Sequence, residues 1–192
     1  MAVFIFSSPP FPYTGLMTAG RRERQLQKKR EILDRALAAL DSGGQADVRS
    51  QADLEAIFFH DHADLVRGLA EVLDRAGLVE AFQALARHLE EDAGPWLRRL
   101  ERIEADPSLR ARRAGLDRDY QEVLSAHFRR LGAAGPQGER ISELEAALAL
   151  AALQGAQRLW VKGRGRPVLP VLVNEALAVV WPALYGHARR HG

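Results

Sequence analysis

The sequence contains no cysteine. That excludes disulfides and thiolate metal sites, and it suits a reducing cytoplasm. Long apolar runs are also lacking. None reaches the ~18–20 residues that cross a bilayer, so a membrane-spanning chain is not expected. Aromatic residues make up only 7%, and the formal net charge is only +2. No global field therefore draws the chain to nucleic acid. Strict polar–apolar alternation is absent too, so no strand is expected.

What is present suits an all-α protein. The 192 residues are 47% apolar and 27% charged, and Ala, Leu, Arg, Glu and Gln, all good helix formers, dominate. The length fits one domain, or a small head on a larger body. The opening stretch MAVFIFSSPPFPYTGL has no basic leading region, and Pro9, Pro10 and Pro12 break any helix there. Residues 1–20 are expected to form an irregular arm, with translation starting at Met1 or Met17.

Charge is distributed unevenly. In RRERQLQKKR, residues 21–30, six basic residues stand against one acid. In residues 45–64, Asp47, Asp53, Glu55, Asp61 and Asp64 oppose only Arg49. A basic arm thus abuts an acidic segment.

The apolar spacing predicts eight or nine helices. The first runs about 22–41 and ends at DSGG, the next about 48–59, then about 61–75 and 78–91. A short helix starts near Pro95 and a longer one near Pro107. The last two run about 139–161 and 168–186. These two, LEAALALAALQGAQRLW and LPVLVNEALAVVW, are apolar on more than one side. A helix apolar nearly all round is buried on several faces. Pairing two copies through a four-helix bundle would bury them. The expected interface residues are Leu148, Ala152, Gly155, Leu159, Trp160, Leu177 and Trp181.

The order of these pieces resembles the TetR family of transcriptional regulators across about 21–186. RRERQLQKKREILDRALAAL looks like that family's first helix with its leading arm. FHDHADLV looks like the aromatic–x–x–basic–x–x–leucine entry to its fourth helix, matching at Phe59, His62 and Leu65. IEADPSLRAR and ALAALQGAQRLWVKGRGRPVLPVLVNEAL look like body segments of its bacterial members. The resemblance implies a small three-helix head, residues 21–66, that binds operator DNA through a helix-turn-helix. It implies a larger helical body, residues 67–192, that ends in a two-helix dimerisation hairpin and holds a small-molecule effector. Effector binding then shifts the spacing of the two heads and releases the operator.

One segment departs from that pattern. A helix-turn-helix needs two helices and a turn of ~3–4 residues. Val48 to Phe59 leaves about one helical turn for each helix, too little for two stable helices. The family's turn glycine is missing, Ala56 stands for an aromatic, and His62 for the usual lysine. Asp53 and Glu55 would face phosphate charge. One continuous helix over 48–59, packing Val48, Leu54, Ile57 and Phe58 on the first helix, is the simpler expectation. Two functions stay open. In one, Arg21, Arg22, Arg24, Lys28, Lys29 and Arg30 hold phosphates, with Arg49, Ser50 and Gln51 nearest the bases. In the other, a TetR-like dimer has lost operator reading and binds small molecules or partners.

No cofactor, metal or catalytic constellation is expected. His60 and His62 would point about 200° apart on a helix, so they cannot share an ion there. Asp61 is placed to cap the helix that follows. KGRGRP lacks the phosphate-loop pattern and a preceding strand. The candidates for lining an effector pocket are Phe82, His88, Trp96, Tyr120, His127 and Phe128, because pockets are mostly apolar with a few polar groups. His127 is the one polar interruption of its stripe.

Overall fold

The computed structural model describes Glu31, Glu55, residues 57–132 and residues 135–185. Among them are six complete helices and no strand. They are α1 (His62–Ala76), α2 (Leu78–Glu91), α3 (Ala93–Ala105), α4 (Pro107–Leu131), α5 (Pro136–Lys162) and α6 (Leu169–Tyr185). Glu31, Glu55, Ile57 and Phe58 are also helical. The expected DNA contacts, from Arg21 to Gln51, lie outside the described residues, as do most of the expected first and second helices.

Local chemistry sets the boundaries. α1 and α2 are separated by Gly77 alone. Its φ of +90° is a left-handed value that glycine adopts without strain, and its N–H donates to the carbonyl of Leu73. Asp106 starts α4: its carboxylate accepts from the N–H groups of Ser108 and Leu109, and Pro107 needs no such partner. α6 is started from another helix, since Glu90 of α2 accepts from the Leu169 N–H at 2.9 Å.

α5 and α6 pack as a hairpin, α4 lies along α5, and α1 packs on α2. α2 also crosses α6, where Gln83 donates to the Pro170 carbonyl and to Asn174. The core is one apolar cluster running from Leu65 in α1 to Leu184 in α6, with Phe82, Phe128 and Trp160 its largest members.

Three expectations change here. The face of α5 that packs within the chain carries Ala146, Ala149, Leu150, Leu153, Ala156 and Trp160; Leu144, Leu148 and Leu159 are exposed. Alanines on the inward face let α5 approach its neighbours closely, while Leu150, Leu153 and Trp160 fill the space between them. Ala152, Trp160 and Leu177, expected between two copies, are instead enclosed in the core of the single chain, Trp160 at 0% exposure.

The third change concerns Phe58. It is fully buried in a separate small cluster with Ile103 of α3 and Leu109 of α4, flanked by Ile57 and Phe59. Phe58 thus packs on the body; the first helix, its expected partner, lies outside the described residues except for Glu31. Glu55 pairs with Arg112 of α4 at 3.4 Å. The end of the acidic segment is docked on α3 and α4 through both contacts.

Candidate functional site

A cavity of about 80 Å³ opens where the start of α1 meets α2, α3, α4 and α5. Its apolar lining comes from leucines of five helices, among them Leu65, Leu85, Leu100, Leu116 and Leu153. Its polar lining comes from Asp61 and His62, Arg99 on α3, Arg113, Asp117 and Tyr120 on α4, and Gln154 and Gln157 on α5.

Arg99 dominates this wall. Helical spacing puts it on the same face as Trp96, Leu100 and Ile103, so a cation is carried inward on an apolar stripe. It is 4% exposed. Its two terminal nitrogens donate to the two oxygens of Asp61 at 2.8 and 2.7 Å. Its guanidinium carbon lies 4.3 Å from the Trp96 ring centre, a cation–π stack. The Arg99 Nε–H is buried and has no partner.

Asp61 occupies the cap position of α1, as expected, but makes no side-chain cap bond. Its carboxylate is committed to Arg99. Burial pushes that carboxyl up, but the hydrogen bonds and charge of Arg99, with His60 nearby, outweigh burial and hold it below the ordinary range. His60 Nδ1 lies 2.8 Å from the Ile57 carbonyl, and His62 Nε2 lies 2.8 Å from Asp119. The His62 ring also meets Tyr120 edge-on, with ring centres 5.2 Å apart. The two histidines of HDH thus take separate partners. Among the described residues, no three His, Asp or Glu side chains gather into a metal-holding group.

Across the cavity, burial raises the Asp117 carboxyl despite Arg113 nearby and a 2.8 Å hydrogen bond from Gln154. Burial and the Asp61 charge push the Tyr120 phenol well up, so it stays neutral and able to donate. Arg113 donates to Gln157, and its other terminal nitrogen lies 3.4 Å from Glu104. The wall therefore carries two arginines and two carboxyls, Asp61 held below the ordinary carboxylate range and Asp117 pushed above it.

The six expected pocket residues separate. Trp96 and Tyr120 line this cavity. Phe82 and Phe128 sit in the general core. His88 lies on α2, 3.7 Å from Glu91. His127 lines a second, more open cavity of about 290 Å³ at the other end of α1, with Asp74, Arg130 and Tyr185. His127 is 6% exposed and its Nε2 has no partner. Asp61, Arg99, Arg113, Asp117, Gln154 and Gln157 were not among the expected pocket residues. The signal for Arg99 was there: a charge on the Trp96–Leu100–Ile103 stripe.

The exposed large apolar residues collect on the hairpin: Leu144, Leu148 and Leu159 on α5, and Val171, Val179 and Trp181 on α6. No helix among the described residues is long and apolar enough to cross a membrane. Residues 75–184, more than half of the chain, match the family model described as the MftR C-terminal domain, one of the TetR C-terminal families. No curated protein and no solved structure matches the chain.

Proposed function

The chain belongs to the TetR family through this C-terminal domain, and from that premise we propose a homodimeric regulator that binds operator DNA and releases it when a small molecule enters the body. The division of labour is a head, residues 21–66, and an effector-binding and dimerising body, residues 67–192. One observation carries this reading. Asp61, at the end of the head segment, closes the wall of the cavity by gripping Arg99 of the body. A molecule that enters there meets the joint between head and body directly.

Two further features support it. The apolar residues left exposed on α5 and α6 suit a second copy: Leu148, Leu159 and Trp181 of the expected set, with Gly155 between the two leucines. Burying them in a two-fold bundle removes apolar area from water. A two-fold axis would hold two heads at a fixed separation, about 34 Å for successive major grooves. The basic run from Arg21 to Arg30 would supply phosphate contacts, with Arg49, Ser50 and Gln51 nearest the bases.

A second reading has its own observation. Glu55 and Phe58 are engaged with Arg112, Ile103 and Leu109 of the body. A segment tied down in this way, and too short for two helices and a turn, suits a dimer that keeps the effector body without reading an operator. A gel shift against the DNA flanking the protein's own gene separates the two. Operator binding should weaken steeply between 50 and 200 mM salt, as phosphate contacts do. Absent or salt-insensitive binding removes the first reading and leaves the second.

A further inference from the structure

We propose that the ligand of the cavity at the start of α1 is a small monocarboxylate, which binds Arg99 in competition with the chain's own Asp61. The inference deepens the effector reading above and rests on it for its regulatory meaning.

The chain has already built a carboxylate receptor here. A guanidinium is planar, and its donors match the two oxygens of a carboxylate. Asp61 uses the two terminal nitrogens of Arg99, at 2.8 and 2.7 Å. Trp96 lies against the guanidinium and fixes its plane. The third kind of donor is uncommitted: the Nε–H is buried and has no partner, and Arg99 is one of the residues that line the cavity. A buried donor without an acceptor is costly. A carboxylate approaching side-on would take Nε and one terminal nitrogen. It would satisfy the orphan donor and loosen one of the two bonds to Asp61.

The free donor, more than net charge, favours an anion over a cation. Asp61 is already neutralised by Arg99, and Arg113 is paired with Glu104 at 3.4 Å. The remaining carboxyl, Asp117, receives the Gln154 amide. An ammonium ligand at this wall would lie against the Arg99 guanidinium, whose Nε–H needs an acceptor. Size sets the rest. The cavity is small, about 80 Å³, so it calls for a ligand of few heavy atoms. The leucine side of the cavity, including Leu100 and Leu153, suits a short alkyl body.

Propanoate is the probe, with propanamide, propylammonium and inorganic phosphate as controls at constant ionic strength set by chloride. Binding is read by the rise in thermal midpoint of the full chain and by the shift of tryptophan fluorescence from Trp96. Propanoate should stabilise the protein by mass action, while the amide, the amine and phosphate should not. Asp61→Asn keeps the shape but gives up the competing charge, and should bind propanoate at least about tenfold more tightly, close to 1.4 kcal/mol. Arg99→Gln should lose propanoate binding. If Asp61→Asn fails to fold alone, recovery of its folding by propanoate supports the site and its absence counts against it. Equal binding of the amide, preference for the amine or phosphate, or unchanged binding by Arg99→Gln each overturns the proposal. The gel shift run alongside keeps the two ideas apart. Propanoate that binds yet leaves DNA bound would sink the effector reading alone. A neutral molecule that fills the cavity and releases DNA would sink the carboxylate alone.

Discussion

Arg99 holds Asp61 through two parallel hydrogen bonds that join α3 to the residue preceding α1. Both side chains are largely withdrawn from water, the arginine at 5% and the aspartate at 18% exposure. A buried pair of this kind is weak evidence for net stability, because desolvation offsets much of the attraction. Its effect is specificity of position: it fixes the residue before α1 at one place against α3.

The first prediction follows from that balance. Asp61→Ala leaves a buried guanidinium with only the Trp96 ring beside it, and should cost about 3–5 kcal/mol. The double variant Asp61→Leu with Arg99→Met removes both charges and should cost much less than the two single changes summed. Urea unfolding of the four proteins gives the cycle directly. Additive losses would mean that the pair does not act as a unit.

The second prediction concerns the hairpin. Leu159→Glu and Val179→Glu change exposed residues, Val179 at 81% exposure, and should leave helix content intact. In a dimer built on this face, they should weaken association on the order of 100-fold, about 2.7 kcal/mol. Trp160→Ala should behave in the opposite way. It removes a fully buried side chain, should cost ~3–5 kcal/mol of folding stability, and should not act primarily on association. Trp160→Phe should be milder, since the indole N–H has no partner to lose. Light scattering and urea midpoints separate the two effects, and a monomer mass for the unaltered protein would remove the dimer.

These contrasts show what the sequence could carry. Helix positions were readable because apolar repeats and stops are strong, as at Pro107, where the longer helix is expected and α4 begins. The orientation of α5 was not readable. A helix apolar on several sides has no period that selects the inward face, and only the packing of Ala146, Ala149 and Ala156 decides it. The cavity was half legible. Trp96 and Tyr120 were identified as aromatics of the body, but their polar neighbours come from four helices far apart in sequence. Asp61 was assigned to helix capping because capping is a local interaction; a partner 38 residues away overrides it.

The third prediction is an acid sensitivity centred on His127. Burial, aided by the charge of Arg130, lowers the tendency of this imidazole to take a proton, while Asp74 opposes that. The unfolded chain then binds the proton more readily than the native one. Stability is whole above the ordinary histidine value of about 6.5 and falls as pH drops through and below it. His127→Phe cannot titrate and should flatten the dependence of the urea midpoint between about pH 5 and 7. An unchanged slope would assign the acid sensitivity to other groups.

The last prediction has the reverse sign. Burial raises the Asp117 carboxyl, against Arg113 and the Gln154 hydrogen bond. Between the ordinary value near 4 and the raised native value, the native protein keeps its proton while the unfolded chain gives it up. Stability therefore falls as pH rises through that window and stays lower above it. Asp117→Asn keeps an oxygen to accept from Gln154 and carries no charge, so it removes the penalty. The variant should be more stable than the unaltered protein at pH 7, and the gap should close towards pH 4. Urea midpoints of both proteins at the two pH values measure it. A gap of the same size at both would mean that the gain comes from packing and that the cavity wall tolerates the ionised carboxylate.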